Sequence, residues 1–152
     1  MYTLKRNTLV RNYPVYYNQF DVSFNVRPLG LVRTESSILH LTQGRDNRKY
    51  GDRIPSVSFL PRSRRLKICS AVNNNRNFCY LDRTNLPPNR VSTVRIFQTR
   101  TSKGQFIYAV VINSRIKRIL ANRAPATFHN VKLYLGDPWL APAKATVKKC
   151  PS

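Results

Sequence analysis

The sequence predicts an all-β domain, either a sandwich or a barrel, and three observations support this class. Hydrophobic and polar residues alternate at a period of two, as in Phe20–Val26, which is typical of a strand with one face in a core. Such segments are short and are separated by Pro, Gly, Asn and Asp at regular intervals. No segment shows the period of 3.6 that indicates an amphipathic helix. We therefore expect residues 1–152 to form a single β-sandwich domain.

About nine to eleven strands are predicted along the chain from this periodicity. Asn73-Asn74-Asn75 predicts a hairpin turn, because asparagine tolerates left-handed backbone angles. Asn113-Ser114 predicts a second hairpin with a weaker signal. The predicted strands are Phe20–Val26, Ser36–Thr42, Val57–Leu60, Leu66–Val72, Phe78–Tyr80, Val91–Gln98, Gln105–Ile112, Arg115–Leu120, Val131–Leu135 and Ala143–Lys148.

Charge is the dominant property of the composition. Twenty-seven Lys and Arg residues against six Asp and Glu residues give a net charge of +21, and Arg outnumbers Lys two to one. Such a charge concentrates anions around the domain. The planar guanidinium pairs bidentately with phosphate, sulfate or carboxylate, so the excess of Arg favours oxyanion contacts over mere solubility. A generally basic surface without a particular partner is the alternative.

Three groups of basic residues are candidates for polyanion binding. One group crowds a loop and the start of a strand, a second crowds another loop, and a third lies on one strand, where Arg115 and Lys117 are expected on one face and Arg118 on the other. A row on a sheet could follow a linear polyanion. The candidates are Arg62, Arg64, Arg65 and Lys67; Arg45, Arg48 and Lys49; and Arg115, Lys117 and Arg118.

Three cysteines allow one internal disulfide and one thiol for intermolecular pairing. Cys69 and Cys79 lie symmetrically about Asn74 in the predicted hairpin, so a cross-strand disulfide is geometrically feasible. Two unpaired thiols are the equally weighted alternative. Cys150 is the candidate for a disulfide-linked dimer.

The motifs of enzymes are mostly absent, and we expect no catalytic activity. The two histidines, His40 and His129, lie in different sequence contexts, the six carboxylates are scattered, and no Cys or His pair has zinc-ligand spacing. No phosphate-binding glycine motif occurs. Asp46 and Asp52 could belong to an ion-paired loop, which we favour, or to half of a weak calcium site with Asp82 or Asp137. No other cofactor or metal is expected.

Four blocks of the sequence are similar to a group of animal extracellular domains: Ser36–Leu41, Lys49–Pro55, Ser70–Asn73 and Asn130–Trp139. The chain resembles concanavalin A-like or laminin G-like jelly-roll domains of marine-invertebrate type over nearly its whole length. The resemblance implies two antiparallel sheets, an extracellular location and a non-catalytic binding role. It also implies a shared structural framework made of Gly51, Asp52, Arg53, Gly136, Asp137, Pro138 and Trp139.

The chain departs from these relatives in its charge and in its cysteines, which suggests adaptation of a binding domain to an anionic target. The first residues, Met1–Arg6, lack a signal-peptide pattern, and no apolar run approaches the roughly 18–20 residues that cross a membrane. We expect a secreted lectin-like domain that binds sulfated or carboxylated glycans. The alternatives are a nucleic-acid-binding or packaging protein, and a self-assembling or membrane-active structural protein.

Overall fold

The computed structural model describes residues 1–150, in which thirteen strands and no helix occur. Nine of the strands have seven residues or fewer, so turns make up much of the chain between them. The strands are β1 (Tyr2–Thr3), β2 (Leu9–Tyr16), β3 (Phe20–Pro28), β4 (Ser36–Thr42), β5 (Ser56–Phe59), β6 (Leu66–Val72), β7 (Asn75–Leu81), β8 (Ser92–Arg100), β9 (Phe106–Ile112), β10 (Arg115–Asn122), β11 (Phe128–Tyr134), β12 (Ala141–Pro142) and β13 (Ala145–Lys149).

The strands form two sheets that pack face to face. Sheet A has the order β1-β13-β3-β8-β9-β10, and sheet B has the order β2-β11-β4-β5-β6-β7, with β12 added beside β4. All pairs in the main path of both sheets are antiparallel, while β12 and β4 are parallel. The chain passes between the sheets at several connections, such as β2 to β3 and β10 to β11. The predicted two-sheet jelly-roll sandwich is confirmed.

The turn signals in the sequence form the hairpins that they predict. Asn73 and Asn74 both have positive φ angles, 54° and 64°, between β6 and β7. Asn113 and Ser114 have φ angles of 48° and 66° between β9 and β10. Two successive residues with positive φ match the twist of the flanking strands, which is why such turns favour tight hairpins.

Three strands were missed by the sequence analysis: β1, β2 and β12. The longest of them, β2, contains Pro14, which lacks the N–H that a central strand needs. In the structure β2 is the edge strand of sheet B, where a proline is tolerated. The strands β1 and β12 have two residues each, too few for an alternation to show.

The core lies between the sheets and is supplied by the alternating hydrophobic residues. In β3, Val22, Phe24 and Val26 are buried, and in β8, Val94 and Ile96 are buried. All seven residues of β4 are buried, including Ser36, Ser37 and His40. The outer face of β4 is therefore covered as well, by segments 43–53 and 136–142. Residues 1–150 contain no helix that could span a membrane.

The predicted disulfide between Cys69 and Cys79 is confirmed as an intrachain bond, with 4.0 Å between the two Cα atoms. The two residues are direct partners in the register of β6 and β7. The alternative of two unpaired thiols is therefore wrong. Cys150 is free and partly exposed, and its backbone N–H donates to the Ser23 carbonyl.

Candidate functional site

Every Asp and Glu side chain of the protein has a hydrogen-bond or ion-pair partner. Exposed pairs and buried bonds both occur, and the partners come from distant parts of the chain. The principal bonds join Asp21 to Arg95, Glu35 to Lys67 and Ser58, Asp46 to Arg53, Asp52 to the N–H groups of Arg48 and Lys49, Asp82 to Tyr80, and Asp137 to His40. Within residues 1–150, the six side-chain carboxylates engage few of the 27 cationic residues, so most of the positive charge has no acidic partner there.

The outer side of β4 carries a buried polar network centred on His40. The His40 Nδ1 atom lies 2.8 Å from Asp137 Oδ2, and its Nε2 atom lies 2.7 Å from the carbonyl oxygen of Asp52. The Trp139 ring packs edge-on against the imidazole, with 5.3 Å between the ring centroids. Both ring nitrogens of this fully buried histidine are therefore occupied by structural bonds.

Asp137 is held in this network by further bonds. Its Oδ1 atom accepts the backbone N–H groups of Trp139 and Leu140, and its own N–H donates to Ser37 Oγ. Burial of the carboxylate favours the neutral form, but the bonds from His40 and from the two N–H groups outweigh it and lower the pKa of Asp137 below its ordinary value.

Arg53 extends the network from β4 to β7 within sheet B. The side chain is largely buried and donates from Nη2 to Asp46 Oδ1, from Nε to the Asp46 carbonyl and from Nη1 to Asn77 Oδ1 on β7. His40, Asp46 and Asp137 each offer one ligand atom within 4.8 Å of one another. Because the Asp46 and Asp137 carboxylates already accept hydrogen bonds, and because Arg53 adds a positive charge, the arrangement favours an ion-paired loop over the calcium alternative.

The remaining residues of the predicted framework line the same region. Gly51 has a φ of +114°, and a side chain there would meet the Phe128 ring. Gly136 has a φ of +89°, and a Cβ atom would lie 2.0 Å from the carbonyl oxygen of Lys5. Pro138 joins Asp137 to Trp139 and is half-buried. The Lys49–Pro55 block and the end of the Asn130–Trp139 block therefore meet over β4 as one structural unit.

A different charged region lies where β7, at the edge of sheet B opposite β2, faces β10, at the edge of sheet A opposite β1. Asp82, just after β7, is its centre. The carbonyl of Asp82 accepts a hydrogen bond of 2.8 Å from Arg65 Nε, and Lys117 Nζ on β10 lies 3.9 Å from its carboxylate. Two predicted basic groups are thus brought together. We call the surface formed by Arg64, Arg65, Arg83, Lys117 and Arg118 around Asp82 the basic edge.

Arg64 and Arg65 are fixed in this surface by their Nε atoms. Arg64 Nε donates to the Leu86 carbonyl at 2.7 Å, as Arg65 Nε does to Asp82. Within residues 1–150, neither Nη pair has a hydrogen-bond partner, and both side chains are half-buried. The two guanidinium groups therefore keep donors for an external oxyanion while part of their conformational freedom is already lost.

The strand β10 departs from the predicted alternation. Its register with β9 shifts between Ile116 and Arg118, which makes Lys117 a bulge. Arg118 consequently lies over the Phe78 ring of β7, 5.5 Å from its centroid, and not on the face opposite Lys117. The expectation that Arg115 and Lys117 share a face that excludes Arg118 is wrong for this reason.

The other predicted basic residues lie outside the basic edge. Lys67 donates to Glu35 at 3.1 Å and is already paired. Arg62, in the turn between β5 and β6, and Arg115, at the start of β10, are exposed, and no contact of their side chains ties them to Asp82 within residues 1–150. The second group, Arg45, Arg48 and Lys49, is exposed in the loop that holds Asp46, at the opposite end of β7.

Arg83 was missed by the sequence analysis. It stands alone between Asp82 and Thr84, with no neighbouring basic residue to mark it as part of a group. Its backbone N–H donates to Asp82 Oδ1, and its exposed side chain lies close enough to Tyr80 to act on that hydroxyl electrostatically. Its position next to Asp82 is the signal in the sequence, but the sequence does not show that Asp82 lies between β7 and β10.

The fold defines the class of this protein as a jelly-roll β-sandwich. No protein-family model matches the sequence, and no match occurs among curated proteins. The resemblance to animal laminin G-like domains therefore stays a prediction.

Several solved structures are similar in fold. Carbohydrate binding module CBM66 from Bacillus subtilis has a TM-score of 0.48 and 10% identity, over 89% of this chain and 73% of that chain. The receptor binding domain of botulinum neurotoxin type G has a TM-score of 0.48 and 13% identity, over 95% and 36%. A native heptameric SAP-like pentraxin from Limulus polyphemus has a TM-score of 0.46 and 15% identity, over 95% and 60%. At this level of similarity, nothing about the ligand or activity of this chain follows from them.

Proposed function

We propose that this protein is a secreted, lectin-like domain that binds sulfated or carboxylated glycans through the basic edge. The observation that carries the proposal is that five cationic residues from three segments lie beside the buried Asp82, whose carboxylate has only Lys117 among them within ion-pair distance, at 3.9 Å. Such an excess of positive charge attracts a polyanion over distance. The fixed guanidinium groups of Arg64 and Arg65 then offer directed donors to individual sulfate or carboxylate groups.

The chemistry of the edge favours a glycan over a single-stranded nucleic acid. Single-strand binding uses aromatic rings on which bases stack. Phe78, in the edge, is partly buried and covered by Arg118. The most exposed tyrosines, Tyr2 and Tyr17, lie on or beside β1 and β2, which are at the opposite edges of the two sheets. The basic edge therefore offers oxyanion donors without a stacking platform among its named residues.

Two further features support the proposed location and role. The Cys69–Cys79 disulfide is the kind of bond that persists in an oxidising compartment, which supports secretion. His40 and the carboxylates, which general acid–base catalysis could use, are committed to structure, because His40 is buried with both nitrogens bonded and each carboxylate has a partner. We therefore also propose that the domain is not an enzyme.

The test compares binding of heparin, chondroitin sulfate, hyaluronan and DNA over a range of salt concentrations. Arg64→Ser/Arg65→Ser should weaken binding of the preferred glycan by on the order of tenfold and lower the slope of log affinity against log salt by about two. Arg45→Ser/Arg48→Ser is the matched control, because it removes the same charge from exposed residues at the other end of β7.

Selective and partly salt-resistant binding of one glycan, lost in the Arg64/Arg65 variant and kept in the control, would establish the proposal. Equal binding of all four polymers that disappears together as salt rises would contradict it, because charge alone would then be responsible. Preference for DNA over every glycan would replace it with the nucleic-acid function. An equal loss in the two double variants would remove the basic edge as the site.

A further inference from the structure

The outer face of sheet A contains an unpartnered apolar strip on β8, β9 and β10. Antiparallel partners point to the same side of a sheet, so the register assigns the outward rows. Val111 lies beside Ile116, Ala109 beside Ile119, and Ile107 beside Ala121. Phe97 of β8 is the next neighbour of Ala109 in the same row. The strip therefore continues across three strands.

The two isoleucines at the open margin of this strip are the most exposed of its members. Ile116 is 62% exposed and Ile119 is 51% exposed. Isolated exposed aliphatic residues are ordinary on protein surfaces, but a contiguous apolar patch on a sheet face marks an interaction surface. The strip is aliphatic apart from Phe97, and the Arg95 guanidinium covers that ring at 4.2 Å. An aliphatic surface of this kind is poorly suited to stacking against a sugar ring or a base.

Cationic residues border the apolar strip at its open edge and on the far side of sheet A. At the open edge, Arg118 and Lys117 lie on β10 beside the two isoleucines, but their side chains are directed toward β7. On the far side, Arg95 lies on the outer face of β8, and the exposed Lys148 is aligned with outward-facing Asn25 of β3. Asp21 neutralises Arg95, to which it is bonded at 2.8 Å, so Lys148 carries the net positive charge of that side.

We propose that this apolar strip is a binding surface for an anionic lipid bilayer. A bilayer that contains anionic lipids offers an apolar interior directly below a layer of negative charge, which complements an apolar centre between cationic flanks. A second copy of this chain fits less well, since it would bring two cationic rims and two chains of charge +21 together. The Lys117 bulge also opposes pairing of β10 with another strand edge. The apolar side chains of the strip face away from sheet B and include no residue of the basic edge, so the two proposals can be tested with separate variants.

The experiment measures flotation of the protein with vesicles of phosphatidylcholine alone and of phosphatidylcholine with phosphatidylserine. Wild type should bind the phosphatidylserine vesicles, and part of this binding should survive raised salt because apolar contact is not screened. Ile116→Ser/Ile119→Ser should lower the partition coefficient by on the order of tenfold. Leu29→Ser/Leu31→Ser is the matched control, because those residues are 51% and 47% exposed on a different segment. It should bind as wild type does.

Four results would overturn this proposal: no binding to either vesicle, equal binding by wild type and the isoleucine variant, equal loss in the leucine control, or a wild-type dimer that the isoleucine variant converts to a monomer. The last result would show that a second copy covers the strip. Heparin affinity of the isoleucine variant separates the two proposals, because it should equal that of wild type if the basic edge binds glycans. Unchanged thermal unfolding would show that both double variants are folded.

Discussion

Two charged regions at opposite ends of β7 use the same residue types in different ways. Near the start of the strand, Asn77 bonds Arg53 in the buried network with His40 and Asp137. After its end, Asp82 anchors the basic edge. At ~3.3 Å per residue, the five residues from Asn77 to Asp82 separate the regions by roughly 16 Å.

The difference between the regions is the balance of charge. In the buried network each named cation and anion has a partner, and the polar atoms are satisfied inside the protein. The basic edge contains five cationic residues and one carboxylate, that of Asp82, so donors remain for an external anion. The comparison assigns the network a structural role and supports the proposal that the basic edge binds an anion.

The largest expected effect comes from breaking the buried network. Asp137→Ala should lower the free energy of unfolding by about 3–5 kcal/mol, because it removes one partner of a buried, hydrogen-bonded pair and leaves His40 and two N–H groups unsatisfied. Denaturant unfolding measures the change. Heparin affinity of the folded fraction should stay at the wild-type value, and a variant as stable as wild type would contradict a structural role.

Removal of the disulfide that fixes β7 against β6 should have the next largest effect. Cys69→Ser/Cys79→Ser should lower the free energy of unfolding by about 2 kcal/mol, since the bond closes a short loop in the unfolded chain. Comparison of the unfolding of wild type with and without reductant gives the same quantity independently. If reduction left stability unchanged, the bond would have no role in joining the two regions.

The pH dependence of stability separates the two regions further. Because the pKa of Asp137 in the folded protein is below its ordinary value of 3.8, its contribution to stability is present above that value and is lost as the pH falls below it. Asp137→Asn should therefore lose less stability than wild type over this acid range. Unfolding curves measured at a series of pH values test this, and parallel curves for the two proteins would contradict it.

The smallest effect is expected at an exposed ion pair. Asp21 and Arg95 form a bidentate pair on the outer face of sheet A, and both side chains are about half exposed. Asp21→Asn should change the free energy of unfolding by less than about 1 kcal/mol, because solvent screens such pairs. Thermal unfolding measures this change, and a loss as large as that of Asp137→Ala would break the distinction between satisfied buried charges and exposed ones.

The sequence predicts the architecture more fully than the site. Period-two alternation locates β3 and β8, and successive asparagines locate the β6–β7 turn, because these signals are local. The edge strand β2 escapes detection since Pro14 interrupts its pattern. Full burial of β4 depends on segments 43–53 and 136–142, which cover it from a distance along the chain.

The basic edge depends on contacts that periodicity does not encode. Arg65 and Lys117 are far apart in the sequence and meet only because β7 and β10 are the facing edges of two sheets. The bulge at Lys117 changes the side on which Arg118 lies. The candidate residues could therefore be named from composition, but their grouping could not.

The arginine content of the basic edge has a consequence for how a bound polymer would be released. Four of its five cationic residues are Arg64, Arg65, Arg83 and Arg118, and guanidinium groups do not lose their proton in proteins. Acidification of a compartment would leave their attraction intact. We expect retention of a captured polyanion across the physiological pH range, with release through competing ions or cleavage of the polymer.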